Sequence, residues 1–194
     1  MKPHLNKTTF KLIVAMLFAF TSHPVVAEAP YLGMGAKSGE VSAHAATIHI
    51  RLSESVGQQR NHGIPGKLGK ARIRYSLSAK ITPTSLSEWR SSSLEDDYYL
   101  QYHLTDLEPN SRYYYQAELV DSATNRTRLS DVFSFKTAPR PNHREDIHFQ
   151  VTTCQSSQGL PTYDVMRRQN PDFLVSAGDT VYYDKFDVRS KEEA

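Results

Sequence analysis

The chain has 194 residues, and its content of 39% hydrophobic and 23% charged residues is that of an ordinary globular protein with one or two domains. Its formal net charge of +2 is too small to indicate a nucleic-acid or membrane-surface partner. The single cysteine, Cys154, excludes an internal disulfide and leaves a thiol that is free for a metal-binding or reactive role.

The first 29 residues have the pattern of a secretory signal. A positively charged start is followed by a short apolar run, Leu12 to Phe20, and small residues precede a cleavage position ahead of Glu28. The run is shorter than the roughly 20 residues that cross a bilayer. No cysteine follows it that could carry a lipid anchor. We therefore expect a periplasmic or secreted protein without a membrane anchor after signal cleavage.

Residues 30–139 are predicted to form a domain rich in β-strands. Apolar and polar residues alternate with the period of two that is typical of half-buried strands, and Ile48, Ile50 and Leu52 share one face in this way. The predicted strands are Thr47 to Leu52, Ala71 to Leu77, Tyr98 to Leu104, Tyr113 to Val120 and Val132 to Lys136. Their spacing over about 100 residues indicates an antiparallel β-sandwich.

One segment of this domain carries a sharper signal. The sequence from Leu107 to Tyr113, LEPNSRY, resembles the tyrosine corner of fibronectin type III domains, and FSFKTAP from Phe133 to Pro139 resembles their last strand. The resemblance implies a fibronectin type III-like sandwich in which the Tyr113 hydroxyl bonds to upstream backbone. Residues 140–146, which include Pro141, are predicted to be a stiff polar linker.

Two groups of side chains in this domain are weaker candidates for function. The basic residues Lys67, Lys70, Arg72 and Arg74 are interpreted as a solvated strand edge, with a binding patch as the alternative. The histidines have no metal-site spacing and are interpreted as surface or structural residues. They are His49, His62, His103 and His143.

Residues 147–179 are predicted to form a strand-helix-strand unit. Ile147 to Thr152 alternates apolar and polar residues, and Pro161 suits the first turn of a helix over Thr162 to Gln169. Asn170 precedes Pro171 and is thereby pushed out of the helical region, which ends the helix. The apolar run Phe173 to Val175 is the second strand, which should lie parallel to the first through a right-handed crossover.

Three potential ligands follow the two strands. Cys154 and Asp179 come just after the carboxyl ends of neighbouring parallel strands, the edge at which such sheets bind ligands, and Tyr182 is three residues further on. A tyrosine with a pKa of about 10 is deprotonated near neutral pH only by a strongly acidic ion, which favours Fe³⁺ over Zn²⁺. The alternative is that Cys154 is a small buried hydrophobe and Tyr182 a core or surface residue.

These residues carry a second resemblance. Thr153-Cys154-Gln155, the Pro171-Asp172-Phe173 segment and the Gly178-Asp179-Thr180-Val181-Tyr182-Tyr183-Asp184 segment resemble the start of the catalytic domain of PhoD-like alkaline phosphatases and phosphodiesterases. Purple acid phosphatases share the G-D-x-x-Y motif, but their first strand ends in aspartate.

The PhoD-like resemblance implies specific roles for the residues that match the motif. Cys154, Asp179 and Tyr182 would bind Fe³⁺, and Asp179 would be the catalytic residue that also bridges to Ca²⁺. The substrates would be phosphate mono- or diesters. Tyr183 and Asp184 could support the ligands, although ordinary loop roles are the favoured interpretation.

The histidines and asparagine that complete the site in this family are not found here, since no histidine follows His148. Residues 147–194 are therefore expected to be an incomplete metallophosphoesterase domain, and the chain an N-terminal piece that is inactive alone. The alternative is a non-enzymatic exported β-sandwich that binds a surface and retains a decayed phosphoesterase remnant. The sequence leaves the oligomeric state open.

Overall fold

The computed structural model describes residues 28–57, 63–82, 85–154 and 160–179. The strands that lie before the linker are β1 Ala36–Gly39, β2 Ala46–Arg51, β3 Gly69–Ser76, β4 Ser85–Leu86, β5 Arg90–Ser91, β6 Tyr99–Leu104, β7 Arg112–Asp121, β8 Thr127–Leu129 and β9 Phe133–Lys136. The elements that follow it are β10 Phe149–Thr152, α1 Leu160–Arg168 and β11 Phe173–Ser176. No helix in these ranges is both long and apolar enough to span a membrane.

Strands β1 to β9 form two antiparallel sheets that face each other across an apolar core. One sheet has the order β1-β2-β6, and the other has the order β4-β3-β7-β8 with β5 paired to β3 and β9 paired to β7. Buried side chains from both sheets make one cluster, which includes Ile48, Ile50, Ile73, Tyr102 and Leu119. The chain is thus a β-sandwich over this region, as the alternating pattern predicted.

Two buried tyrosines, Tyr102 and Tyr115, place hydroxyl groups in this core. Tyr102 is 2% exposed, and its hydroxyl donates a hydrogen bond to the Ala71 carbonyl at 2.6 Å. Burial raises the pKa of Tyr115 to about 12 and raises that of Tyr102 still further. Both phenols therefore stay neutral at physiological pH, which suits their place between the two sheets.

One predicted orientation is wrong. The predicted strand Ala71 to Leu77 would place Leu77 on the same inward face as Ile73, because residues an even number apart share a face, but β3 ends at Ser76 and Leu77 is exposed in the turn that follows. The alternating pattern continues past the point where pairing stops. Once the ladder with β7 ends, nothing holds the next side chain on the inner face.

The basic residues near β3 divide into two groups. The Lys67 side chain is partly buried, and its ammonium lies 3.2 Å from the Asp121 carboxylate. Arg72 lies on the outward face of β3, pairs with Glu118 at 2.8 Å, and packs its guanidinium over the Trp89 ring at 4.6 Å. Lys67 is therefore part of the ion-pair framework of the sandwich, whereas Arg72 belongs to an outward basic face together with Lys70.

The turn at the start of β7 has the tyrosine-corner geometry. The backbone N–H of Glu108 donates a hydrogen bond to the Tyr113 hydroxyl at 2.9 Å. The hydroxyl of Thr137, at the end of β9, donates to the Glu108 carbonyl at 2.7 Å. Both bonds satisfy backbone groups of one partly buried turn, so they fix how the chain crosses from β6 to β7.

We expect Tyr113→Phe to lower the free energy of unfolding of the sandwich by about 1 kcal/mol, and by up to about 2 kcal/mol if the Glu108 N–H finds no new partner. Urea unfolding followed by far-UV circular dichroism measures this loss. Tyr114→Phe is the matched control, because Tyr114 lies on the opposite face of the same strand. Equal stabilities of the two variants would contradict a structural role for the corner.

The loop that follows β7 is organised by a buried carboxylate. Oδ1 of Asp121 accepts hydrogen bonds from the Ala123 N–H at 3.0 Å, the Thr124 N–H at 2.7 Å and the Thr124 hydroxyl at 2.8 Å. Burial acts to raise the pKa of Asp121, but the hydrogen bonds from Thr124, Lys67 and Ala123 outweigh it and lower the pKa to about 2. The carboxylate therefore stabilises the turn in its ionised form.

We expect Asp121→Asn to lower the free energy of unfolding by about 1–2 kcal/mol at pH 7, because a downward shift of this size corresponds to about 2 kcal/mol. A lowered folded-state pKa contributes stability above the unfolded pKa of about 4, and this contribution is lost as the pH falls to about 2. Urea unfolding at pH 7 and pH 2 should show the gap between variant and wild type closing. The exposed Asp131→Asn is the control, and a gap that persists at pH 2 would refute the electrostatic account.

Candidate metal centre

The last three elements form the predicted strand-helix-strand arrangement. β10 and β11 are parallel, with Phe149 opposite Phe173 and Thr152 opposite Ser176. The helix α1 between them starts one residue before Pro161, and its half-buried residues Tyr163 and Met166 lie three apart, on one face. Because the strands are parallel, the chain leaves both of them at the same edge of the sheet.

The end of the helix follows the predicted break. The N–H of Asn170 donates to the Arg167 carbonyl at 3.0 Å, and Asn170 has a φ of 49° directly before Pro171. Asparagine tolerates this left-handed conformation better than most residues, and proline prevents a further helical turn. The chain is thereby turned back into β11.

The edge after the two strands brings together two of the predicted ligands. The Cys154 thiol lies 3.5 Å from Oδ2 of Asp179, to which it donates a hydrogen bond, and both side chains are exposed. Bonds of about 2.3 Å to sulfur and about 2.1 Å to oxygen place two ligands of one ion about 3.1–3.6 Å apart at angles between about 90° and 109°. A sulfur and an oxygen at this separation therefore fit two positions in one coordination shell.

Cys154 and Asp179 share an unusual backbone conformation. Cys154 has a φ of 53° and Asp179 a φ of 49°, which lie in the left-handed region that side chains with a Cβ seldom adopt. Gly178 has a φ of 110°, for which glycine is the suitable residue. Nine other non-glycine residues in the described ranges also have a positive φ, so this conformation shapes the turns after the two strands but does not by itself mark a functional site.

A third side chain, Thr153, belongs to the motif that carries the resemblance but was given no role from the sequence. Its hydroxyl lies 3.6 Å from the Cys154 sulfur and donates to the Gly178 carbonyl at 3.4 Å. It joins the loop after β10 to the loop after β11, next to the hydrogen bond from the Ala177 N–H to the Thr152 carbonyl at 2.8 Å. Its position directly before Cys154, at the end of a strand, was the only sequence signal for this role.

The other predicted ligand lies outside the described residues. Tyr182 belongs to the stretch after Asp179, as do Tyr183 and Asp184, so the three-ligand set stays a prediction. Within the described ranges, no three His, Cys, Asp or Glu side chains come together as a metal-binding group. His49, His103 and His143 lie in the sandwich or the linker, and His62 falls in a gap between the described ranges.

Comparison with known proteins finds similarities both to part of the sandwich and to most of the chain. Residues 65–137 match the family described as the purple acid phosphatase N-terminal domain, a stretch that runs through β3 to β9. The solved structure of PhoD superposes with a TM-score of 0.67 at 20% sequence identity, over 82% of this chain and 29% of that one. The chain therefore has the fold of a PhoD-like N-terminal portion, as the sequence motifs predicted, and spans less than a third of the length of PhoD.

Other solved structures are similar over a smaller part of the chain. The sensor domain of the anti-sigma factor RsgI4 from Pseudobacteroides cellulosolvens is 16% identical over 59% of this chain and 99% of that one, with a TM-score of 0.38. The fibronectin type III domain of human fibronectin type III domain containing protein 3 is 13% identical over 59% of this chain and 86% of that one, with a TM-score of 0.33. No curated protein matches the chain.

Proposed function

We propose that this chain, which has the fold of a PhoD-like N-terminal portion, supplies the first metal ligands of an exported phosphoric ester hydrolase. The observation that carries the proposal is the approach of the Cys154 thiol to the Asp179 carboxylate, 3.5 Å apart at the shared edge of two parallel strands. The family relationship of the sandwich and the likeness to PhoD favour phosphate ester chemistry for that edge.

The residues fit a hard trivalent ion together with a neighbouring divalent one. Cys154, Asp179 and Tyr182 would hold Fe³⁺, and Asp179 would also contribute to the binding of a neighbouring Ca²⁺. When bound, such ions act as Lewis acids toward phosphoryl oxygens and lower the pKa of a bound water. The chain's own contribution is to present the Cys154 thiol and the Asp179 carboxylate 3.5 Å apart at the ends of two strands.

The helix supports the same chemistry. In a strand-helix-strand unit α1 runs antiparallel to its strands, so its N-terminus faces the edge that carries Cys154 and Asp179. The partial positive charge and free N–H groups of a helix N-terminus favour an anion there. A phosphate ester approaching the ligands would therefore meet favourable electrostatics from the backbone as well.

Export is part of the proposal, with signal removal ahead of Glu28. Glu28 accepts a hydrogen bond from the Tyr31 hydroxyl at 2.6 Å and pairs with Arg128 at 3.1 Å. Ala29 is buried against the sandwich. A chain that starts at Glu28 would thus keep its first residues bound to the fold, and N-terminal sequencing of the exported protein should return Glu28 as the first residue.

The test of the function uses the full-length product of the native gene with iron and calcium supplied, because residues 1–194 alone are expected to be inactive. We expect hydrolysis of p-nitrophenyl phosphate or bis(p-nitrophenyl) phosphate that a chelator abolishes. We also expect a visible absorption band from charge transfer between tyrosinate and iron. An active enzyme without iron or colour would overturn the metal assignment.

The second candidate function is that of an exported module that binds an anionic surface. The observation that favours it is the outward basic face of β3, where Lys70 and Arg72 alternate with buried residues and Trp89 packs against Arg72. A protein without hydrolysis of either ester, but with salt-sensitive binding to an anionic polymer such as heparin, would support this candidate over the enzyme.

A further inference from the structure

A three-residue ionic network connects the sandwich to the strand-helix-strand unit. Lys136 is the last residue of β9, and its ammonium lies 3.1 Å from Oε1 of Glu145 in the linker and 3.5 Å from Oδ1 of Asp172. Asp172 directly precedes β11. The side chains of Lys136 and Asp172 are only 24% and 25% exposed, so solvent screens this contact less than a fully exposed pair.

The same aspartate joins the beginnings of the two parallel strands. The N–H of Asp172 donates to the His148 carbonyl at 2.7 Å, and the N–H of His148 donates to Oδ2 of Asp172 at 3.0 Å. One carboxylate oxygen thus binds the neighbouring strand while the other binds Lys136. This reciprocal pair of hydrogen bonds joins the two strands in the register that places Phe149 opposite Phe173, where the two rings stack with centroids 5.3 Å apart.

In the described part of the strand-helix-strand unit, burial of side chains only weakly determines the register of β10 against β11. Where neither face of a strand pair is buried, register is weakly specified. The apolar residues on the outer face of this pair are exposed. They are Phe149, Val151, Phe173 and Val175. A slip of two residues would keep the same faces outward but move one strand end by roughly 7 Å along the other.

We propose that Lys136 is a positioning residue: by holding Asp172 from the sandwich, it fixes the strand register that places Cys154 beside Asp179. A slip of two residues would separate the thiol and the carboxylate far beyond the 3.5 Å that one metal ion can span. The importance of this register for catalysis rests on the proposed metal centre, whereas the register effect itself does not. The sandwich then acts as the template on which the site is assembled.

The charges of the network are consistent with this role. The backbone N–H of His148 is the largest cause that lowers the pKa of Asp172, and the positive charges of Lys136 and Arg112 lower it further. The hydrogen bond to Glu145 is the largest cause that raises the pKa of Lys136, and Asp172 adds to it. Each partner therefore favours the charged form of the other at neutral pH.

The experiment compares Lys136→Met with Lys136→Arg and with the exposed control Lys80→Met in the metal-free protein. Hydrogen exchange is followed by mass spectrometry on peptides covering 147–153 and 172–178. We expect exchange in these peptides to rise about tenfold in Lys136→Met, to return toward the wild-type rate in Lys136→Arg, and to stay unchanged in Lys80→Met. Peptides from β2 and β7 report that the sandwich remains folded.

A second measurement titrates each protein with Co²⁺ alone and follows the absorption from thiolate-to-metal charge transfer. We expect the apparent Kd to rise at least about tenfold in Lys136→Met, a loss comparable to that of an outer-shell partner. Asp172→Asn provides an independent variant, because asparagine keeps an acceptor for the His148 N–H but loses the charge that Lys136 holds. It should follow Lys136→Met in both measurements.

The outcomes separate the two proposals. Unchanged exchange in both Lys136→Met and Asp172→Asn would overturn the positioning role, whatever the metal does. Faster exchange in a protein that binds no Co²⁺ even as wild type would support the positioning role and count against the proposed metal centre. Faster exchange together with weaker Co²⁺ binding supports both.

Discussion

Replacing Cys154 with serine, or Asp179 with asparagine, is expected to weaken metal binding by at least about 100-fold. Partners that only support a ligand already cost about 10–100-fold when they are lost, so loss of a direct ligand should cost no less. Serine keeps the size of cysteine but is not deprotonated near neutral pH, and asparagine keeps the shape of aspartate without its charge. Hydrolysis of p-nitrophenyl phosphate should fall in parallel.

The measurements are the iron content of the purified protein and its visible absorption, read against thermal unfolding of the sandwich. Both side chains are exposed, so their loss should leave the unfolding temperature of the sandwich unchanged. Asp146→Asn in the linker is the matched control, because it removes one exposed carboxylate near the unit without touching the site. Variants that retain full iron content would show that the thiol and carboxylate pair merely by hydrogen bonding.

The close approach of Cys154 and Asp179 could be predicted because it follows from a topological rule. Two short strands joined by one helix must be parallel, and parallel strands end at the same edge. The rule predicts that Cys154 and Asp179 lie at the same edge of the sheet, but it does not predict the distance between their side chains. The 3.5 Å separation depends on the left-handed conformations of Cys154 and Asp179, and neither residue type requires that conformation.

The large strands of the sandwich were likewise predictable, because β2, β3, β6 and β7 alternate apolar and polar residues with burial on one face. The strands that were missed are short or lack alternation. β4 and β5 have two residues each, and β1 consists of small and polar residues. Such segments become strands through pairing with a neighbour, which is a property of the assembled sheet.

The Lys136 network was not predictable for a different reason. Its members are three ordinary charged residues, Lys136, Glu145 and Asp172, separated by up to 36 positions and with no motif spacing. The ion pair between Lys136 and Asp172 forms only when the sandwich and the strand-helix-strand unit lie side by side. Lys136 and Asp172 each stood within a segment that resembles a known family, but neither motif indicated that the two side chains would meet.

The largest effect on stability is expected for Leu119→Ala in β7. Leu119 is 0% exposed and belongs to the cluster between the two sheets. Truncation of a buried leucine removes apolar contacts and leaves a cavity, which together cost about 2–5 kcal/mol. Since folded domains have total stabilities of about 5–15 kcal/mol, this variant should be close to unfolding at physiological temperature.

The matched control is Leu129→Ala in the neighbouring strand β8. Leu129 pairs with Glu118, the residue beside Leu119, but its side chain is 48% exposed, so its truncation should change stability by no more than about 0.5 kcal/mol. Urea unfolding followed by circular dichroism measures both variants. If Lys136 acts as proposed, loss of the sandwich in Leu119→Ala should also speed hydrogen exchange in β10 and β11, because their template is gone. Exchange there that stays slow while the sandwich unfolds would show that the strand-helix-strand unit holds its own register.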